Sequence, residues 1–224
     1  SIACFKACQL ISKLVQNNYE VQTVASQNAL QFIGQATLEG LTGKPVYSDL
    51  WENGRMMDHI HLNRWADLII TAPATANYLN KIANGTGDDL LSTLFLAHDF
   101  KKPFLIAPAM NTAMYQHPIT KKSLNTLKEM GLEILSTESG NLACGEIGEG
   151  RMLDPELIFQ KIESTLKPKN KSIDILITSG GTSEPIDNVR LITNTSTGET
   201  GAILADHFIK KGYILKNVNP FEND

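Results

Sequence analysis

Apolar positions along this chain switch between a helical and an extended period, and the switches mark out alternating elements. Ile2, Phe5, Ile11, Leu14 and Val15 recur at helical spacing and predict an amphipathic helix at the start. Glu20-Val21-Gln22-Thr23-Val24-Ala25 reads as a strand, and Ser26 has the side-chain oxygen to cap a helix reaching Phe32. A further helix is expected over residues 37–41. Asp67-Leu68-Ile69-Ile70-Thr71-Ala72 is apolar almost throughout, as a parallel strand covered on both faces should be, and Pro73 is expected to end it. Helical patterns follow over residues 78–83 and 89–97, then a strand over 104–107, a helix over 123–130, a short strand over 133–135 and a helix over 155–166. Alternation of this kind predicts an α/β fold built on a doubly wound parallel sheet.

Two stretches stand outside that pattern. Residues 139–150 carry four glycines among polar side chains, which suits an active-site loop better than a packed connection. Lys167-Pro168-Lys169-Asn170-Lys171 reads as a linker, so a domain over 1–166 is expected to pass through residues 167–172 into a second segment, 173–224. That segment opens with the strand Ile173-Asp174-Ile175-Leu176-Ile177-Thr178 and the turn Ser179-Gly180-Gly181-Thr182; only a first strand, loop and helix are expected in it, and residues 217–224 fit no element.

Composition narrows the function. The 224 residues, 42% hydrophobic and 20% charged, are those of a globular protein, and no apolar run approaches the roughly 20 residues that span a bilayer. With a net charge of −4 and no larger basic cluster than the lysine linker, nucleic acid is not an expected partner. Three cysteines without paired spacing and no signal peptide argue against a disulfide framework and point to a reducing cytoplasm. Cys4 and Cys8 are expected as small buried residues, and no metal site is expected.

The candidate chemistry gathers where Phe104-Leu105-Ile106 delivers the chain to the sheet's carboxyl edge, the place where open α/β sheets hold ligands. Ala107-Pro108-Ala109-Met110-Asn111-Thr112-Ala113-Met114-Tyr115 sets an amide, two methionines and an aromatic ring at that edge. Spacing alone leaves the methionines equally able to fill the core. His59 and His61 both offer an imidazole suited to proton transfer near neutral pH, and spacing alone does not choose between them.

Pro108-Ala109-Met110-Asn111, with Met114 and Tyr115, resembles the Pro-x-Met-Asn-x-x-Met-Trp motif of the homo-oligomeric flavin-containing cysteine decarboxylases, with tyrosine where tryptophan is usual. The resemblance extends, in the family's order, through His59-Ile60-His61-Leu62-Asn63-Arg64-Trp65-Ala66-Asp67, Ala72-Pro73-Ala74-Thr75-Ala76-Asn77 and Ala143-Cys144-Gly145-Glu146-Ile147-Gly148-Glu149-Gly150-Arg151-Met152. Within the family, the chain is most similar to the decarboxylase half of the bifunctional phosphopantothenoylcysteine decarboxylase/phosphopantothenate–cysteine ligases of coenzyme A biosynthesis. Gly180-Gly181-Thr182 and Asn194-Thr195-Ser196-Thr197-Gly198 resemble the opening of the ligase half, so the second segment is expected to begin a second α/β domain.

The resemblance implies a flavodoxin-like or Rossmann-like flavoprotein that uses FMN to oxidise a substrate's cysteinyl thiol to a thioaldehyde. Carbon dioxide then leaves, and the reduced flavin returns the electrons to the enethiol, with no net redox change. It implies His59, Cys144 and Asn111 as catalytic residues, Asn111 holding the substrate carboxylate and Cys144 protonating the reduced intermediate. Met114 and Arg151 would contact substrate, although a lone arginine suits a surface ion pair equally well. FMN would be held by Ser1, Ser26, Ala74, Thr75, Ala76, Asn77, Ala109 and Met110. The family's first strand and glycine/serine phosphate loop precede the opening helix, so Ser1 is expected to be what remains of that loop. CTP and Mg2+ would be needed only by a complete ligase domain, and no ligase activity is expected from this chain. Assembly is expected as a homo-oligomer, a trimer or a multiple such as a dodecamer, with 4′-phosphopantothenoylcysteine as the small-molecule substrate and His59 serving a shared site. The alternatives are a peptidyl-cysteine decarboxylase, disfavoured by the Cys144 loop and the ligase-like continuation, and a silent flavin-binding regulatory subunit, disfavoured by the presence of His59, Asn111 and Cys144.

Overall fold

The computed structural model describes residues 1–141, 147–166, 170–211 and 213–218, and it divides into two compact units, Ser1–Ile162 and Glu163–Asp224. Helix α1 (Cys4–Gln16) buries Cys4, Lys6, Leu10 and Leu14, whereas Ile2 and Phe5 are exposed. Of the expected stripe, Leu14 is buried and Ile11 packs against a small apolar cluster, while Lys6 carries its ammonium inward to the Met152 carbonyl, 2.6 Å away.

The strand expected over residues 20–25 reduces to one parallel bridge between Val24 and Tyr47. Pro45 has no N–H to lengthen the ladder, and Ser26 already turns the chain by accepting the Ala29 N–H (3.1 Å) at the start of α2 (Gln27–Leu30). That helix stops short of Phe32. Helix α3 (Gln35–Thr42) starts after Gly34 and stops at Gly43, whose φ of 66° favours glycine. Helix α4 (Asp58–Trp65) leads into β1 (Ile69–Ala74), which runs through Pro73 instead of ending before it. The ladder slips register between Thr71 and Ala74, so the proline falls where no N–H is demanded.

Helices α5 (Ala76–Ala83) and α6 (Leu90–Leu96) precede β2 (Phe104–Pro108). Helices α7 (Thr112–Gln116) and α8 (Pro118–Glu129) precede β3 (Glu133–Ile134). The three strands form a parallel sheet in the order β1-β2-β3. Full burial along the strand holds for β2 but not for β1, which is half-buried until Ala74. Phe104 and Ile106 join Leu62, Leu79, Ile82, Phe95 and Leu127 in one apolar core, and Leu105 and Ala107, which alternate with them, are buried on the opposite face. Each such Leu, Ile or Phe contributes about 1.5–3 kcal/mol by leaving water.

The glycine-rich stretch expected as a loop is a hairpin, β4 (Glu138–Asn141) against β5 (Ile147–Arg151), followed by α9 (Pro155–Leu166). The second unit holds β6 (Asn170–Thr178), a β7 (Ser183–Pro185) and β8 (Leu191–Thr193) hairpin, α10 (Glu199–Lys210) and β9 (Tyr213–Val218). Strand β6 begins within the expected linker. Strands β6 and β9 pair in parallel, with α10 in the crossover, so the segment carries more than one strand, loop and helix. Asn217 and Val218, expected to fit no element, pair with Ile177 and Thr178, and residues 219–224 lie outside the described residues.

Candidate active site

Strands β1 and β2 end side by side: Ala74 pairs with Pro108, and the Ala109 N–H donates to the Ala74 carbonyl at 2.9 Å. Each chain then turns into a helix under its own cap. Thr75 Oγ1 accepts the Tyr78 N–H (3.4 Å) at the head of α5, and Asn111 Oδ1 accepts the Met114 N–H (2.9 Å) at the head of α7. The Asn111 cap has a chemical consequence. Its amide oxygen is engaged by the helix, which leaves Nδ2 as its pair of donors. A pair of donors suits a group that only accepts.

The β4–β5 hairpin is fastened to this same turn. Met110 N–H donates to the Gly150 carbonyl (2.9 Å), and the Thr112 hydroxyl donates to the Glu149 carbonyl (2.8 Å). A Cβ on Gly148 would overlap the Thr112 hydroxyl, and one on Gly150 would overlap the Met110 carbonyl, with Gly150 already at a φ of 110°. The glycines therefore serve close packing. Cys144 lies outside the described residues, among residues 142–146, which join the paired Asn141 and Ile147. Arg151, the half-exposed substrate candidate, has its Nε 3.7 Å from Glu138 across the hairpin, and Glu138 also meets Lys6 at 3.5 Å.

His59 sits in the first turn of α4. Lys102 Nζ donates to the carbonyls of Asn63 (3.2 Å), Arg64 (2.7 Å) and Ala66 (2.5 Å), which holds the carboxyl end of α4 near the amino end of β2. At 1.5 Å per residue, His59 lies about 10 Å away along the helix, toward its other end. Its Nδ1 is buried with no hydrogen-bond partner among the described residues, while His61 is exposed. The rigid base for that ring comes from Asn63, whose Nδ2 donates to the carbonyls of His59 and Leu94 at 2.8 Å each.

The other expected contacts divide by type. Ala74, Ala76 and Ala109 are buried, and the Ala109 N–H and Ala74 carbonyl are paired with each other, whereas Asn77 and Met114 are exposed. Ser26 caps α2, and Ser1 Oγ accepts the Ala3 N–H (3.4 Å) ahead of α1. The described contacts join Ala74, Thr75, Met110, Asn111 and the hairpin; they do not link His59, Ser1 or Ser26 to Asn111. Tyr115 packs its ring against the core. Burial, against a hydrogen bond from Thr71, pushes the Tyr78 hydroxyl up to about 12, which leaves it a neutral structural group. Thr112 is absent from the residues the motifs mark, and nothing in its own neighbourhood of sequence announces the contact with Glu149.

A family described as Flavoprotein matches residues 1–167, and one described as DNA/pantothenate metabolism flavoprotein C-terminal domain matches residues 170–219. The coenzyme A biosynthesis bifunctional protein CoaBC of Bacillus subtilis (strain 168) is 41% identical over 217 residues, which cover 94% of this chain and 53% of that protein. Its counterpart from Vibrio vulnificus (strain YJ016) is 41% identical over 214 residues, with the same two shares. The chain thus spans about half the length of the curated relatives it matches. Among solved structures, a cysteine-to-serine mutant of PPC decarboxylase complexed with pantothenoylaminoethenethiol is 34% identical at a TM-score of 0.66, over 73% of this chain and 91% of that one. The FMN binding protein AtHal3 is 34% identical at a TM-score of 0.62, over 73% and 90%.

Proposed function

This chain belongs to the flavoprotein family, and we propose that its first unit is an FMN-dependent decarboxylase that converts 4′-phosphopantothenoylcysteine to 4′-phosphopantetheine in coenzyme A biosynthesis. The observation that carries the reading is Asn111, whose capped oxygen leaves two amide donors at the carboxyl edge of β2. A carboxylate is an acceptor-only group, and a neutral amide orients it without stabilising the charge that must pass to the α-carbon as neutral carbon dioxide leaves. The match of residues 170–219 to a pantothenate-metabolism domain favours a pantothenate-derived thiol over a peptide's terminal cysteine.

The residues present fit the flavin. Thr75 opens α5 with first-turn N–H groups that have no partner inside the helix, and His59 holds an unclaimed buried nitrogen. Ser1, Ser26, Thr75 and Asn77 would hold the group through side chains, and Ala74, Ala76, Ala109 and Met110 through backbone. Bound there, FMN supplies the reversible two-electron sink that no side chain offers. The protein's own part is proton handling and orientation. His59 Nδ1 takes the substrate's proton, the Cys144 thiol gives one back to carbon, and Met114 and Arg151 flank the substrate beyond Asn111.

We place the activity in the cytoplasm, in a homo-oligomer with a trimeric repeat. Among the described residues no helix is long and apolar enough to cross a membrane. For the whole protein we propose a second activity, phosphopantothenate–cysteine ligation with CTP and Mg2+. The test of the first is the flavin absorbance of the purified chain, followed by carbon dioxide release from phosphopantothenoylcysteine and from a peptide ending in cysteine. Release from the first substrate, lost in Cys144→Ser with the flavin still bound, supports the reading. A flavin-loaded protein that acts only on the peptide, or on neither, overturns it.

A further inference from the structure

The two fastenings between the hairpin and the Asn111 turn lie on adjacent carbonyls of β5, those of Glu149 and Gly150. Successive carbonyls of a regular strand point to opposite sides, so one of the two should face away. Gly150, at a φ of 110°, relieves that constraint and lets both turn toward residues 110–112. The Thr112 side chain completes the arrangement. It follows the capping Asn111, yet its hydroxyl leaves the helix and reaches β5, 37 residues along the chain, in a gap that exists only because Gly148 has no Cβ.

We propose that Thr112 is a positioning residue. It sets the register of strands β4 and β5, between which Cys144 falls in sequence, against the turn that carries Asn111. The catalytic consequence rests on the decarboxylase reading; the register itself does not. Thr112 touches neither reacting atoms nor flavin in this account, and it acts through the Glu149 carbonyl. A hydroxyl is required there, and a methyl of the same shape does not replace it.

The test compares Thr112→Val, which keeps the shape and loses the donor, with Thr112→Ser, which keeps the donor. Two readouts are taken on the flavin-loaded chain: amide exchange over residues 138–151, and kcat and KM for carbon dioxide release. Thr112→Val is expected to speed exchange in the hairpin and to lower kcat by about fivefold to tenfold, the scale of one net hydrogen bond, with KM and the flavin bands unchanged. Thr112→Ser is expected to restore both. Gly148→Ala should copy the Thr112→Val defect, and the pair Thr112→Ala with Gly148→Ala should be less than additive, because the smaller side chain makes room for the new methyl. Thr112→Val with wild-type exchange and turnover overturns the proposal, as does Thr112→Ser impaired as badly as Thr112→Val. If the wild-type protein releases no carbon dioxide, the decarboxylase reading falls, and the exchange contrast alone decides the register.

Discussion

At the amino edge of the three-stranded sheet, polar groups are turned inward and bonded to the protein, although His98 Nε2 has no partner among the described residues. Lys102 spends its ammonium on three carbonyls at the end of α4, and His98 Nδ1 accepts the Phe100 N–H at 3.1 Å while its ring packs edge-on against Phe100 and Phe104, each at 5.3 Å. The cavity of about 350 Å3 beside them is lined by Ile82, Gly85, Phe95, Leu96, Phe100 and Met130, without a charged group. At the carboxyl edge the caps do the opposite. Thr75 and Asn111 each commit one oxygen to a helix, and Asn111 keeps two donors in reserve. The proposed chemistry rests on that reserve.

The sharpest way to break this contrast is Asn111→Asp. A carboxylate still caps α7, so thermal stability should stay within about 0.5 kcal/mol, since the substitution retains a preferred capping group. It replaces the donors with a negative oxygen facing the substrate carboxylate, so carbon dioxide release should drop by about a hundredfold or more. Gly150→Ala attacks the same edge through its backbone: a φ of 110° and overlap with the Met110 carbonyl should cost about 2–3 kcal/mol in denaturant unfolding.

His98 sharpens the comparison from the amino edge. Burial holds its imidazole below the usual value, with Lys102 acting in the same direction and Asp99 opposing. The folded state therefore prefers the neutral ring. Its stabilisation is complete above the ordinary imidazole value of about 6.5 and is lost as pH falls through that value toward the lowered folded one. His98→Asn, which keeps an acceptor for the Phe100 N–H, should flatten this acid-side slope in urea unfolding without changing turnover. The smallest effect is expected at the cavity wall. Leu96 is half-exposed, so Leu96→Ala should cost under about 1 kcal/mol and leave carbon dioxide release unchanged.

Much of the carboxyl edge is legible from residue order. The two apolar runs predict the strands that end at this edge, whereas the caps at Thr75 and Asn111 and the short helix α7 are not announced by residue order. Strand β2 is readable because all its positions are apolar and all are buried. What escapes is what depends on a distant partner. Residues 20–25 have a strand's local pattern, but Pro45 opposite them cannot lengthen a ladder. Helix α4 has too few apolar positions to show its period, since Asp58, His59, His61, Asn63 and Arg64 interrupt it. Residues 139–150 have the composition of a loop, yet Gly148 and Gly150 are there for contact with residues 110–112, which only tertiary packing reveals. Thr112 is missed for the same reason.

The most direct measurement of the central claim is carbon dioxide release from phosphopantothenoylcysteine by the flavin-loaded chain and by its Asn111→Asp variant, matched for flavin content and melting temperature. Release by the wild type and its loss in a variant that folds and binds flavin equally would establish that the reserved donors of Asn111 carry the chemistry. Equal release by both would contradict it.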